Sequence, residues 1–445
     1  MTLDARLRSA AQAVDDSVAD VAPADRLREL GGRRRRRSSL AVAVAFGLLA
    51  VVVGAAVALP RLLPGSQDTP LASSGGRAAV QAKPVELAVT ATQLPRAPLA
   101  ARRDPAGIWT GRELIVWGGW SGNQAASQAF ADGAAYNPET RRWRILAPAP
   151  LSARGAPVAV WTGREMVVWG GNDPARGRAG NGLLDGAAYN PASDSWRRIA
   201  SAPPGSARSF AKAVLAQGRV VIGGGQDPTS GPRTASLLVY DLARDRWQRL
   251  AAADPVYDLA ATGREVALAT IDPGTRQLRF WSVDVANGRS SLLPDFPVVT
   301  RPSTVGVERV GLVWTGEELI AAVSAGGRTH LAGLDPASPD AGSWRLLATT
   351  AAEHFHPPAD VQFDPQLAPM VWAGGRLLAF SPSSIEAFSP DTGSLARSTR
   401  RPSGSPFCGA GAAVVWTGTS LLGWGGDSCR AGGPEQVDAG VRFHL

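Results

Sequence analysis

Cysteine, histidine, lysine and tyrosine are all scarce in this chain. Its 445 residues include two Cys, four His and four Tyr. So few thiols and imidazoles exclude a zinc-cluster protein and a disulfide-dense mini-scaffold. Lysine occurs only at Lys83 and Lys212, and every other cationic side chain is Arg. No G-x-S-x-G, P-loop, H-E-x-x-H or Cys–His arrangement is present, so the common motif-borne chemistries are missing. Long helices are disfavoured by 50 Gly and 34 Pro, which favour turns. An apolar content of 44% nonetheless excludes wholesale disorder. The formal charge of +8 includes one dense cluster, Arg33 to Arg37. That run abuts an apolar stretch and no basic–aromatic interleaving follows it, so no nucleic-acid partner is expected.

The apolar stretch is Leu40 to Leu59, twenty residues without a charged or polar side chain. At about 1.5 Å per residue it matches the roughly 30 Å hydrocarbon core of a bilayer. The arginines before it place the N-terminus on the cytoplasmic side and everything after residue 60 outside. This reading gives a cytoplasmic stub (1–38) with a basic run, a transmembrane helix (39–60), a Pro/Gly/Ser linker (61–84) and an extracytoplasmic domain (85–445). A cleaved signal peptide is the alternative, because Ala56-Val57-Ala58 fits a cleavage site. Leu3, Leu7, Ala10, Val14 and Val18 form a helical stripe in the stub, either a solvated tail or a docking face for a cytoplasmic partner.

The segment after the linker repeats. IWTGRELIVWGG (108–119) returns as VWTGREMVVWGG (160–171), and GAAYNPETRRWRIL (133–146) as GAAYNPASDSWRRI (186–199). A third copy runs through VVIGGG (220–225) and VYDLARDRWQRL (239–250), and a period near 50 points to a propeller or an array. Seven hairpins carry a turn glycine, at Gly111, Gly163, Gly218, Gly263, Gly316, Gly374 and Gly418. Each unit has four strands: the first ends in VWTG, the second in VWGG, the third carries YNP and the fourth WRxL. The double glycine followed by Tyr and Trp seven apart resembles the kelch-repeat (galactose-oxidase-like) β-propeller family, over residues 85–445. The resemblance fades in unit four, where Ser290 replaces the Trp, and in unit six, which lacks both the double glycine and the Trp. It implies an all-β fold of seven four-stranded blades, with six as the alternative. The strand 85–98 resembles a fourth strand and is expected to complete the last blade, closing the ring. Trp143, Trp196, Trp247 and Trp344 recur by position and are expected between blades.

Alternating strand direction puts the first–second and third–fourth turns on one face and the remaining connections on the other. The connections 120–132, 172–185, 226–236, 294–308 and 349–366 are long, so the second face is the expected binding face. Its candidates are Trp120, which lies outside the repeat register, Asp173, Asp185 and Asp227, which follow glycine pairs, and the H-x-H of His354 and His356. Asx-type turn capping is the plainer role for the three aspartates, and a surface loop the plainer setting for the histidines. Only His354 and His356 present a metal-like pattern, and no cofactor is expected. His330 and His444 read as strand residues. Cys408 and Cys429 are symmetric about the last hairpin turn and are expected to form a disulfide in an exported domain.

The family includes a copper-radical oxidase and sugar-processing isomerases, but the tyrosines at 136, 189 and 240 are repeat positions, which leaves Tyr257 alone for radical chemistry. The chain therefore reads as a membrane-anchored, non-enzymatic binding module for an envelope glycan or protein. A sugar-modifying enzyme with its site on the long-loop face is the first alternative. An envelope sensor signalling through the stub is the second.

Overall fold

The second strand of each repeat sets the architecture. Leu114–Trp117 and Met166–Trp169 are buried at every position, whereas the outermost strand Arg142–Ile145 is exposed or half-buried throughout. A strand apolar on both faces must be covered on both faces. A sheet whose apolar content falls toward one edge packs radially, with its polar edge outward. In the computed structural model the described residues are 80–81, 85–122, 127–173, 175, 182–226, 234–298, 307–335, 343–351, 370–380, 384–398, 411–428 and 436–445. All of them lie in the second of the two units, Met1–Ser74 and Gly75–Leu445, into which the chain divides.

Seven sheets form the blades of a propeller: six are built on four antiparallel strands from one repeat, and the seventh on three from the last repeat and one from the N-terminal arm. Blade 1 comprises Ala106–Trp109, Leu114–Trp117, Gly133–Asn137 and Arg142–Ile145. Blade 2 comprises Val158–Trp161, Met166–Trp169, Gly186–Asn190 and Ser195–Ile199. Blades 3, 4, 5 and 6 begin at Ser209–Ala216, Val256–Ala261, Val307–Trp314 and Met370–Ala373. Blade 7 runs through Ala413–Trp416, Ser420–Trp424 and Gly440–His444. Unit six thus folds as a full blade without its double glycine or Trp, and the count is seven. Each of the seven hydrophobic clusters draws on two neighbouring blades, so the core is a set of seams rather than one centre.

Local chemistry makes the hairpins. Thr110 accepts the Glu113 amide on its hydroxyl at 2.8 Å, and Gly111 takes φ +92° between them. The same Thr–Gly turn recurs at Thr162–Glu165 and Thr315–Glu318. On the same face the indole Nε1–H of Trp196 donates to Ala147 O of the preceding blade at 2.9 Å, and Trp247 to Ala200 O at 2.7 Å. Trp143 and Trp344 do the same to Pro95 O and Pro294 O, both at 2.8 Å. Tyr189 and Tyr240 donate to Asp194 and Asp245 at 2.5 and 2.6 Å, and those carboxylates accept the Ala147 and Ala200 amides. Burial pushes both phenols up to about 12.

Ring closure differs in detail from one strand over 85–98. Thr90–Gln93 pairs antiparallel with Gly440–His444 as the fourth strand of blade 7. Before it, Val85–Glu86 lies parallel to the outer strand of blade 6, and Val80–Gln81 parallel to that of blade 5. The N-terminal arm therefore covers the edges of three consecutive blades, a standard protection against edge pairing. The division into a short-turn and a long-loop face also needs correction at blade 5. There the second–third connection is only Gly326–Gly327, and the third–fourth connection between Leu334 and Arg345 is the longer one.

The expected stub and the span Leu40–Leu59 lie outside the described residues, as do Asp227, His354, His356, Cys408 and Cys429 and all of the linker 61–84 except Val80–Gln81, which form a strand on blade 5. Among the described residues no helix is long and apolar enough to cross a membrane.

Deleting residues 1–79 is expected to leave the melting temperature of the propeller within about 2 °C. Deleting residues 1–93 removes the closing strand and is expected to lower it by about 10 °C or more, or to abolish the cooperative transition. Differential scanning calorimetry of the two truncations checks this.

Candidate functional site

Where the second strand of one blade leaves toward the loop face, two successive glycines adopt left-handed φ. The values are +70° and +94° at Gly118–Gly119, +67° and +85° at Gly170–Gly171, and +76° and +85° at Gly425–Gly426. A Cβ on Gly118, Gly170 or Gly425 would stand 3.1, 3.0 or 2.9 Å from the backbone oxygen of Arg154, Arg208 or Arg102 in the next blade. The second glycine of each pair donates its amide to that same oxygen, at 2.8–2.9 Å. The double glycine is thus the place where adjacent blades meet backbone to backbone.

Each of these arginines then turns its side chain inward. Arg102 and Arg154 have fully buried side chains and bind the carbonyls of Gly118 and Gly170 and the carboxylates of Asp132 and Asp185. The Arg102 guanidinium also lies 4.0 Å from the Phe130 ring centroid. Arg208, the third member, binds Ile222 O and the Ser236 hydroxyl. Desolvation pushes its pKa down to about 10, and the Arg249 charge adds to the effect. The sequence carries this array as Ala101-Arg102, Ala153-Arg154 and Ala207-Arg208, a repeat that the glycine and tryptophan motifs overshadow.

The structure gives the described candidates defined partners. Asp185 serves the buried Arg154 at 3.0 Å. Asp173 caps a turn by accepting the Ala175 amide at 3.1 Å. Trp120 lies over Gly155, where an added Cβ would be 2.6 Å from the indole. Its Nε1–H donates to Asp104 at 2.9 Å, and the Arg103 guanidinium sits 5.2 Å from the ring centroid. Arg103 bridges Asp104 and Asp427 at 3.0 and 3.1 Å. Trp120, Arg103, Asp104 and Asp427 therefore tie the last blade to the first on the loop face. Asp173 and Asp185 are not part of this cluster. His330 and His444 lie in the third strands of blades 5 and 7. Burial, and secondarily the Arg328 charge, lower the His330 pKa, and its Nδ1 lies 3.0 Å from the Thr349 hydroxyl.

The innermost strands enclose an axial cavity of about 460 Å³, lined by residues of all seven blades. Small residues dominate the wall, among them Gly107, Gly223 and Gly311, with Phe210, Tyr257 and Met370 as larger contacts. Its charged residues are Asp104 at the mouth and Lys212 and Asp258 deeper in. Lys212 Nζ lies 2.7 Å from Asp258 Oδ1, and the Leu312 amide donates to Asp258 Oδ2 at 2.7 Å. Those contacts join the inner strands of blades 3, 4 and 5. Among the described residues no group of three or more His, Cys, Asp or Glu is arranged to hold a metal ion.

Comparison with known proteins agrees with this architecture. The KLHDC2/KLHL20/DRC7 Kelch-repeats domain matches residues 105–268. The chain is also similar to Kelch-like protein terF of Aspergillus terreus, 30% identical over 127 residues, which make up 28% of this chain and 27% of that protein. The seven four-stranded blades make the domain a β-propeller, and its similarity to kelch repeats is carried by residues 105–268.

Asp185→Asn is expected to strand the buried Arg154 charge and cost about 2–3 kcal/mol in urea denaturation. Asp173→Asn, on an exposed turn, is expected to change stability by less than about 0.5 kcal/mol. His330 gives a pH dependence. Its folded pKa lies below the ordinary 6.5, so the unfolded chain binds the proton more readily. The stability tied to the neutral imidazole is complete above pH 6.5 and falls as the pH drops below it. The same denaturation at pH 7 and pH 5 is expected to show a smaller acid loss in His330→Gln than in the parent.

Proposed function

We propose that this chain is a membrane-anchored kelch propeller that acts outside the cytoplasm as a binding module for an envelope glycan or protein. The observation that carries the reading is the axial cavity, which opens among residues of all seven blades beside the loop cluster around Trp120. A concave, mostly small-residue site on a rigid scaffold suits recognition. Fold alone does not assign chemistry, and the titratable pair in the cavity, Lys212 and Asp258, is engaged in a mutual ion pair. The uncharged run Leu40–Leu59 behind Arg33 to Arg37 supports the anchor and its direction. An exported domain also favours a Cys408–Cys429 disulfide.

The test uses the full chain expressed in bacterial cells. Protease added to spheroplasts is expected to digest the propeller and spare the stub. Thiol reagents are expected to label Cys408 and Cys429 only after reduction. A photo-crosslinking residue at Trp120 or Thr234 is expected to capture envelope material, while one at Arg112 or Arg164 on the opposite face is not. Protection of the propeller in spheroplasts, or capture only from Arg112 and Arg164, would overturn the proposal.

A further inference from the structure

We infer that the axial cavity takes a small organic acid, whose carboxylate binds the ammonium of Lys212. The inference deepens the binding-module reading by naming a ligand class for the cavity. It starts from an asymmetry in the Lys212–Asp258 pair. Asp258 is closed: Oδ1 accepts the Leu259 amide at 2.8 Å and the Lys212 ammonium at 2.7 Å, and Oδ2 accepts the Leu312 amide at 2.7 Å. Lys212 is open: its side chain is 45% exposed against 13% for Asp258. Besides Asp258, among the described residues it reaches only the Leu312 carbonyl, at a long 3.4 Å. An ammonium has three N–H donors, so one remains for a ligand. The pair is neutral overall, but both oxygens of Asp258 are occupied, so its spare hydrogen-bonding capacity lies on the ammonium.

The remaining charge of the cavity wall, Asp104, has a side chain only 1% exposed and is held by Trp120 and Arg103. The exposed ionic group of the cavity is therefore the ammonium of Lys212. Around it the wall offers Gly223, Gly311, Ala213, Tyr257 and Met370, which suit the carbon body of a compact ligand. A volume of about 460 Å³ falls within the usual range of small-molecule sites. Residue choice points the same way. Lys212 is the single lysine of residues 85–445, in a chain that otherwise uses arginine. Lysine is a compact point charge with three rotatable donors, whereas arginine presents a fixed planar fork.

The experiment is isothermal titration of the full chain in detergent with acetate, benzoate and glucuronate, each against its neutral amide. At least one acid is expected to bind, with its amide about 10-fold weaker or worse. Lys212→Met is expected to lose that preference and Lys212→Arg to keep part of it. The acid–amide comparison on the unaltered protein stands even where a variant fails to fold. Absence of binding by all three acids at about 10 mM would overturn the inference. So would equal affinity for acid and amide, or an unchanged preference in a folded Lys212→Met protein. Envelope crosslinking from Trp120 reads the broader function separately. A protein that crosslinks but ignores all three acids refutes only the ligand class, and one that binds an acid without crosslinking refutes only the envelope partner.

Discussion

Everything in this propeller depends on how closely two neighbouring blades approach at the loop-face end of their seam. Sheets stacked through side chains alone stand about 10 Å apart. At Gly118, Gly170 and Gly425 the backbones touch instead, with hydrogen bonds from the following glycine to the oxygen of the next blade's arginine. Any Cβ there would press on a carbonyl oxygen, and left-handed φ at both positions adds a second reason for glycine. The turn-face end is held differently, by indole donors such as Trp196 and Trp247 reaching a backbone carbonyl of the preceding blade. One end of the seam is backbone on backbone and the other is a long aromatic spacer. A wedge of that shape, repeated around an axis, closes into a ring.

The same geometry explains why arginine is buried. At the seam two carbonyls of the second–third connection face inward: that of Gly118 or Gly170, and that of Asp132 or Asp185, which also accepts the glycine's amide. Arg102 and Arg154 fill that space with a planar group that binds both the carbonyls and a carboxylate. Arg208 performs the same task with a serine hydroxyl in place of the carboxylate; desolvation, and secondarily the Arg249 charge, lower the pKa of its guanidinium. Conformational specificity at the seam thus rests on charged groups that are costly to bury alone and favourable only as a satisfied network.

The repeat, the turn glycines and the interblade tryptophans were legible in the sequence because each is a local pattern returning near a period of 50. Trp143, Trp196, Trp247 and Trp344 stand where their spacing puts them, and the closing strand in blade 7 follows from matching 85–98 to a fourth strand. The path of the arm over blades 5 and 6 was not legible, since Val80–Gln81 and Val85–Glu86 are too short to carry an alternating pattern. Nor was the partnership of Lys212 with Asp258. The two residues lie on the inner strands of different blades, and no motif surrounds either. Asp185 was misleading for a related reason. Its position beside a strand start in a long connection looks like a loop donor, but its partner Arg154 lies in the preceding connection and is buried.

The rim and the axis of the propeller have different capacities for recognition. At the rim, blades 5 to 7 have their outer edges covered by the arm. Blades 1 to 4 end in strands carrying exposed arginines such as Arg142, Arg197, Arg246 and Arg289, a charged edge that discourages strand addition. At the axis every inner strand contributes a short stretch of backbone and small side chains, and the walls are fixed by seven seams rather than by any one blade. A ligand there meets a surface that cannot relax in one place without disturbing two interfaces. Such a site is preorganised by the ring itself, and recognition costs little ordering. Chemical identity then depends on the charged groups set among small side chains and backbone, and in this chain those are Lys212 and Asp258 within and Asp104 at the mouth.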